Sequence, residues 1–229
     1  MDYANIIFTI VFGGIGYLIF DSGLRKIRLK FLVNNLKTSM ISGLKPGLAE
    51  IKGVIAADKD RITAPFSRLE GVLCRWHLEY HSASYSFRDR VYDSCDGRYF
   101  KVDDGTGTIL IDSLYADWDT KMTYENGVTE KSRDILKKYD ISKLYPVNDK
   151  MVSATEWLLK EGDSIYILGN VEVPDHGDSA FVIKNKGLLF ISDKDEKHII
   201  AGLNWTIWVR IFIGLGLIAL GIMIFLKAS

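Results

Sequence analysis

WTIWVRIFIGLGLIALGIMIFL, residues 205–226, decides the architecture, because it carries a single charge, Arg210, close to its start. A helix rises about 1.5 Å per residue, so about 20 apolar residues cover a hydrocarbon core about 30 Å thick. At the opposite end, YANIIFTIVFGGIGYLIF, residues 3–20, has no charge at all. No stretch between the two is comparably apolar. The pattern predicts two transmembrane helices flanking a mainly β, α+β soluble domain. The expected map is a first transmembrane helix over 3–20, a basic juxtamembrane helix over 21–43, a β-rich domain over 44–203 and a second transmembrane helix over 205–226.

The chain has 229 residues with 29 basic and 29 acidic side chains. Zero net charge argues against a general nucleic-acid binder, which needs a basic excess to displace counterions. Cys74 and Cys95 form neither a metal motif nor a disulfide framework. One disulfide is compatible with them, but two free thiols in a reduced compartment are the simpler reading. The residues before the first apolar run, MDYAN, hold no Lys or Arg, and no small-x-small cleavage site follows it. This predicts an uncleaved anchor.

Charge asymmetry sets the expected orientation. Arg25, Lys26, Arg28, Lys30 and Lys37 follow the first span, whereas Asp2 precedes it and Lys227 follows the second. Basic flanks stay cytoplasmic. The chain therefore reads as a multi-pass integral membrane protein of the cell membrane with a cytoplasmic central domain. Arg25, Lys26, Arg28, Lys30, Trp205, Trp208 and Arg210 are the candidate membrane-interface residues, with Arg210 snorkelling to the headgroups beside the two tryptophans. Apolar residues at Leu24, Ile27, Phe31, Leu32, Leu36 and Met40 fit a helix. It either continues the first span or lies on the bilayer surface. Gly13, Gly14 and Gly16 in one span and Gly214, Gly216 and Gly221 in the other allow close helix approach, and both span–span packing and homo-oligomerisation stay open.

The central domain is dominated by strand signals. LAEIKGVIA (48–56) alternates, with Gly53 marking a bend, and GVLCRWHLEYHS (71–82) alternates strictly, with Trp76 and Cys74 on one face and Arg75, His77, Glu79 and His81 on the other. A weaker strand is expected over 85–92. Strands over 98–102 and 108–112 flank the DDGTG turn at 103–107. A short helix capped by Thr129 is expected over 129–139. Strands over 150–158 and 164–173 read as a pair joined across Lys160-Glu-Gly-Asp163, and strands over 180–183 and 187–191 as a last pair. A helix over 193–203 should run straight into the second span. Many short strands with one small helix predict an OB-like barrel or rolled antiparallel sheet.

These segments together resemble a known family. AEIKGVIAA (49–57), APFSRLEGVLCRWHLEY (64–80), FKVDDGTGTILID (100–112) and ATEWLLKEGDSIYILGNVEV (154–173) look like the GIDE-type, or beside-a-membrane (BAM), domain of the mitochondrial E3 ubiquitin ligase MULAN/GIDE family. The similarity covers about residues 38–203, and the flanking spans match the family's layout. Gly71, Cys74 and Tyr80, the DDGTG turn, and Glu156 with Gly162 and Gly169 carry it most specifically. In the family's ligases a zinc-binding RING follows the second span. Here Lys227, Ala228 and Ser229 follow it, and the chain holds two cysteines. The resemblance is thus to a RING-less form, archaeal or bacterial, without ligase activity of its own.

The search for chemistry yields little. His77 and His81 on one strand face lie too far apart to share a metal and read as a solvated face. His176 and His198 show no partner. Asp103 and Asp104 read as turn-forming residues. Trp76, Tyr80, Tyr85, Phe87, Tyr92, Tyr99 and Phe100 read as barrel filling, with Arg75, Arg88, Arg90 and Arg98 facing water. No catalytic, cofactor-binding or metal residue is assigned. The expected function is a membrane-anchored protein-binding or scaffold module with the lipid bilayer and an unidentified protein as partners. The alternatives are a component of a ubiquitin-ligase-like system whose RING comes from another chain, and a lipid-sensing membrane element.

Overall fold

The structure is a computed structural model, and it describes residues 3–56, 61–81, 88–114, 116–127, 137, 152–172 and 182–228. The chain divides into two compact units, residues 1–37 with 195–229, and residues 38–194.

The first unit is a pair of helices, α1 (Tyr3–Asn35) and α2 (Glu196–Ala228). Each is long and apolar enough to cross a membrane. They run antiparallel and meet through glycine. A Cβ on Gly16 would fall 2.8 Å from the Gly214 carbonyl oxygen, and one on Gly214 would fall 2.8 Å from the Phe20 nitrogen. Gly221 meets Gly13 and Thr9, and Gly23 meets Ile211. Without side chains between them the backbones approach closely, which is how small residues drive helix association in lipid. The two helices therefore pack on each other within one chain. The outer faces are open: Tyr17, Leu18, Phe212 and Leu226 are each more than 60% exposed. Residues 24–35 continue α1 directly. The helix stops short of Met40 because Thr38 bridges Glu50 and the Ser39 N–H donates to the Glu50 carbonyl. At the start of α2, Asp195 caps the helix by accepting from the His198 N–H at 2.8 Å.

The second unit contains twelve described strands. They are β1 (Gly47–Ile55), β2 (Ile62–Thr63), β3 (Glu70–Gly71), β4 (Leu73–His81), β5 (Arg88–Asp96), β6 (Tyr99–Asp103), β7 (Thr108–Asp112), β8 (Asp117–Asp119), β9 (Tyr124–Gly127), β10 (Val152–Leu159), β11 (Ser164–Glu172) and β12 (Val182–Ser192). Five of them pair in a ring, β1–β6–β7–β12–β11 and back to β1, and β8 adds to β12. Every ring pairing is antiparallel except β7–β12, which is parallel. The ring core is apolar: Ile51, Ile55, Phe100, Val102, Ile109, Ile111, Ile167, Ile183 and Ile191 are buried. At Gly53 a Cβ would sit 2.5 Å from the Asp103 carbonyl oxygen, so the bend read from sequence is where β1 crosses close to β6. A separate four-stranded antiparallel sheet has the order β5-β4-β10-β9.

Three expectations about the strands are corrected. The segments flanking residues 160–163 do not pair with each other, because β10 joins β4 and β9 while β11 joins β1 and β12. The turn between them bonds elsewhere: the Gly162 N–H donates to the Ile55 carbonyl and the Ile55 N–H to the Asp163 carbonyl, which lays β11 beside β1. The expected last hairpin is one strand, β12. Its pairing with β11 jumps from Gly169↔Leu189 to Asn170↔Lys184, so the presumed turn is a bulge inside it. Ile183 and Leu189 both lie against the bare Cα of Gly169. The strand expected over 85–92 is β5, displaced toward Asp96, where Asp93, Ser94 and Cys95 gain cross-strand partners on β4. Of the helix expected over 129–139, Lys137 alone is described, and it is helical.

Candidate functional site

Register on the four-stranded sheet sorts its residues. Trp76, Ser94 and Glu156 share one face, and Arg75, His77, Asp93, Cys95, Thr155 and Trp157 share the other. Neighbouring Cys74 and Cys95 therefore lie on opposite faces, and both are free thiols. Burial pushes the Cys95 thiol up to about 11, and burial with the nearby carboxylates of Glu156 and Asp96 raises that of Cys74 still further. Neither is a ready nucleophile at neutral pH.

On the first face, Glu156 is fully buried and accepts from the Phe66 N–H at 2.8 Å, the Ser67 N–H at 3.4 Å and the Ser67 hydroxyl. It holds the turn between β2 and β3, with Phe66 seated against Trp76 and Tyr124. The alternation Ala154, Glu156, Leu158 places an acid on an apolar strand face, a readable signal of a buried charge that the sequence reading passed over. Glu50 is a second such acid: Thr38 donates to it at 2.7 Å, the Tyr166 hydroxyl at 2.8 Å, and Lys52 lies 3.1 Å away. Both clusters are satisfied structural networks.

On the second face, His77 corrects the solvated-face expectation. It is buried, its ring centroid 4.9 Å from that of Trp157 and its Nε2 3.4 Å from Glu79. Alternation tells which residues share a face, not whether that face is covered. The His81 side chain and His176 lie outside the described residues. His198 does have a partner, the carboxylate of Asp195. The Asp195 carboxyl is held below its ordinary range by the hydrogen bonds from the His198 N–H and ring.

The acidic turn behaves as its composition implies. Asp103 accepts from the Gly105 N–H at 2.6 Å, and Asp104 from the Thr106 and Gly107 N–H groups, the Thr106 hydroxyl and, at 2.8 Å, the Ile41 N–H. Desolvation pushes the Asp104 carboxyl up, but these donors outweigh it and hold the carboxyl below its ordinary range. Phe100 lies in the ring core and Trp76 is buried on the four-stranded sheet, whereas Tyr99 is 48% exposed and corrects the filling expectation; the side chains of Tyr80, Tyr85, Phe87, Tyr92, Arg88 and Arg90 lie outside the described residues. Arg75 and Arg98 are ion-paired rather than simply solvated. Arg75 meets Asp93 at 3.1 Å, and Arg98 grips Asp112 with two bonds of 2.8 and 2.7 Å while lying over the Tyr99 ring.

A groove of about 440 Å³ lies inside the second unit. It is lined by Arg75, Asp93, Ser94 and Cys95 from the four-stranded sheet, by Arg98, and by Ser113, Leu114, Ala116, Asp117 and Trp118 after β7. Sequence reading missed it, because its two walls come from different sheets. A smaller cavity of about 180 Å³ lies beside the Arg61–Glu161 ion pair. Among the described residues no three His, Cys, Asp or Glu side chains converge as metal ligands do.

The membrane-interface candidates all lie in the first unit. Arg25, Lys26, Arg28 and Lys30 are on α1, with Arg25 paired to Asp21. Trp205 and Trp208 are exposed on α2, and Trp208 stacks on Phe212 at 5.8 Å. Arg210 stands beside Gly23, level with the end of the charge-free run of α1. Comparison with known proteins finds no matching family model, no matching curated protein and no matching solved structure.

Proposed function

We propose that this chain is a membrane-anchored protein-binding or scaffold module whose β domain works at the cytoplasmic surface of the cell membrane. The observation that carries the reading is the outward apolar surface of the helix pair. A soluble protein rarely leaves so long a continuous apolar surface in water. Inserted side by side, the helices bury that surface in lipid. Arg210 then reaches the headgroups beside Trp205 and Trp208, and Arg25, Lys26, Arg28 and Lys30 meet anionic lipid. The ring order β1–β6–β7–β12–β11, with one parallel pair, supports reading the barrel as OB-like. The GIDE-type resemblance supports a domain held beside a membrane, in which any ligase chemistry would come from another chain.

The test is chemical crosslinking of the full chain in native membranes, preceded by alkaline carbonate extraction. The chain should stay with the membrane pellet, and a soluble partner should be recovered reproducibly. Gly216 has nothing within 4 Å of its added Cβ, so Gly216→Leu alters the outer face of the helix pair without opening it. A partner retained by Gly216→Leu is held by the β domain. Release by carbonate, or recovery of the chain alone, would sink the proposal.

A further inference from the structure

We infer that the 440 Å³ groove is a docking site for an extended peptide segment that carries a basic residue near an apolar one. The inference rests on the scaffold reading and names its site. Asp93, Ser94 and Cys95 are consecutive on β5, and Asp117 and Trp118 are consecutive on β8. Consecutive residues of a strand point to opposite faces, so a cavity that touches both parities borders the strand's edge. β5 ends the four-stranded sheet and β8 ends the six-stranded one, and neither has a second neighbour among the described strands. The groove thus borders two edges that have no second strand among the described residues. An added strand satisfies such an edge.

The chemistry of the walls selects the occupant. Arg75 and Arg98 are already matched by Asp93 and Asp112. Asp117 is exposed, and its carboxylate has no hydrogen bond or ion pair among the described residues. The Asp117 carboxylate is therefore the wall charge without a counter-charge among the described residues, and it calls for Lys or Arg. Leu114 is 41% exposed and stands near the partly buried Trp118, a seat for one apolar side chain. Backbone pairing supplies affinity, and these two contacts supply specificity.

The experiment pans the full chain, held in lipid nanodiscs, against a phage-displayed library of unstructured peptides, then measures binding by fluorescence anisotropy. Enriched peptides should pair a basic with an apolar residue. They should lose at least tenfold in affinity on Leu114→Lys and on Asp117→Lys, and keep it on Leu69→Lys, an exposed position on the turn between β2 and β3. They should also slow alkylation of Cys95 at alkaline pH, since Cys95 is exposed and Cys74 is fully buried. Thermal unfolding confirms that each variant folds, and Asp117→Asn, which keeps the side-chain size, should show an intermediate loss. No enriched peptide, or equal binding by the Leu114 and Asp117 variants, overturns the inference. Self-association abolished by Leu114→Lys overturns it too, assigning the edges to a second copy of the chain. A native-membrane partner captured equally by wild type and Leu114→Lys removes the groove while leaving the scaffold reading intact.

Discussion

The five-stranded ring and the four-stranded sheet solve the same problem differently. Each ring strand has two ring neighbours, and the interior is filled by Ile, Val and Phe. Among the described strands the sheet has two ends with a single neighbour each, and it buries Glu156 and His77 among its aromatic residues. A closed ring satisfies its own backbone and rests on apolar packing. A sheet with buried polar groups is held in part by directional bonds. The contrast places apolar packing in the ring and buried polar bonds in the four-stranded sheet, which should make that sheet the softer region.

The sharpest way to break this comparison is at the ring's center. Phe100→Ala should cost about 3–5 kcal/mol, the loss for an aromatic removed from a well-packed core, measured by denaturant unfolding of the full chain in detergent. Glu156→Ala should cost less, about 2 kcal/mol, because it orphans the Phe66 and Ser67 N–H groups. Glu156→Gln, which keeps one acceptor, should recover part of that. If Glu156→Ala matched Phe100→Ala, the sheet would not be the softer region.

Asp104→Ala should cost at most about 1 kcal/mol at neutral pH, since its bonds are close to solvent. Its folded carboxyl lies below the ordinary value, so it stabilises the fold above the unfolded pKa of about 3.9. That contribution is lost as pH falls through the lower folded value. Melting curves of wild type and variant should therefore differ at pH 7 and converge in strong acid; a gap that widened in acid would contradict the assignment. Leu114→Lys, at the groove wall, should change stability by less than about 0.5 kcal/mol. A larger loss would mean that the groove is part of the packed structure rather than a site beside it.

Much of this was legible from residues alone. The two apolar helices, the helix running into the second of them, the strands around the DDGTG turn and the bend at Gly53 all follow from local periodicity and turn chemistry. Less legible were the features that need two distant segments. β10 and β11 read as a hairpin because Glu161-Gly162-Asp163 has turn composition, but the turn bonds to Ile55. Asn185 and Lys186 read as a turn and lie inside one strand, because Ile183 and Leu189 close over Gly169. The groove was invisible, since Cys95 and Asp117 meet only after two sheets are assembled.

The sequence by itself determined which segments are apolar, which are extended and which residues share a face, because these depend on side-chain chemistry repeating at 3.6 or 2 residues along one chain. Only the tertiary structure decided which edges meet, which spans pack and which polar groups are covered. Backbone hydrogen bonds are the same at every residue, so pairing is chosen by how distant side chains fill space together, and no local pattern records that.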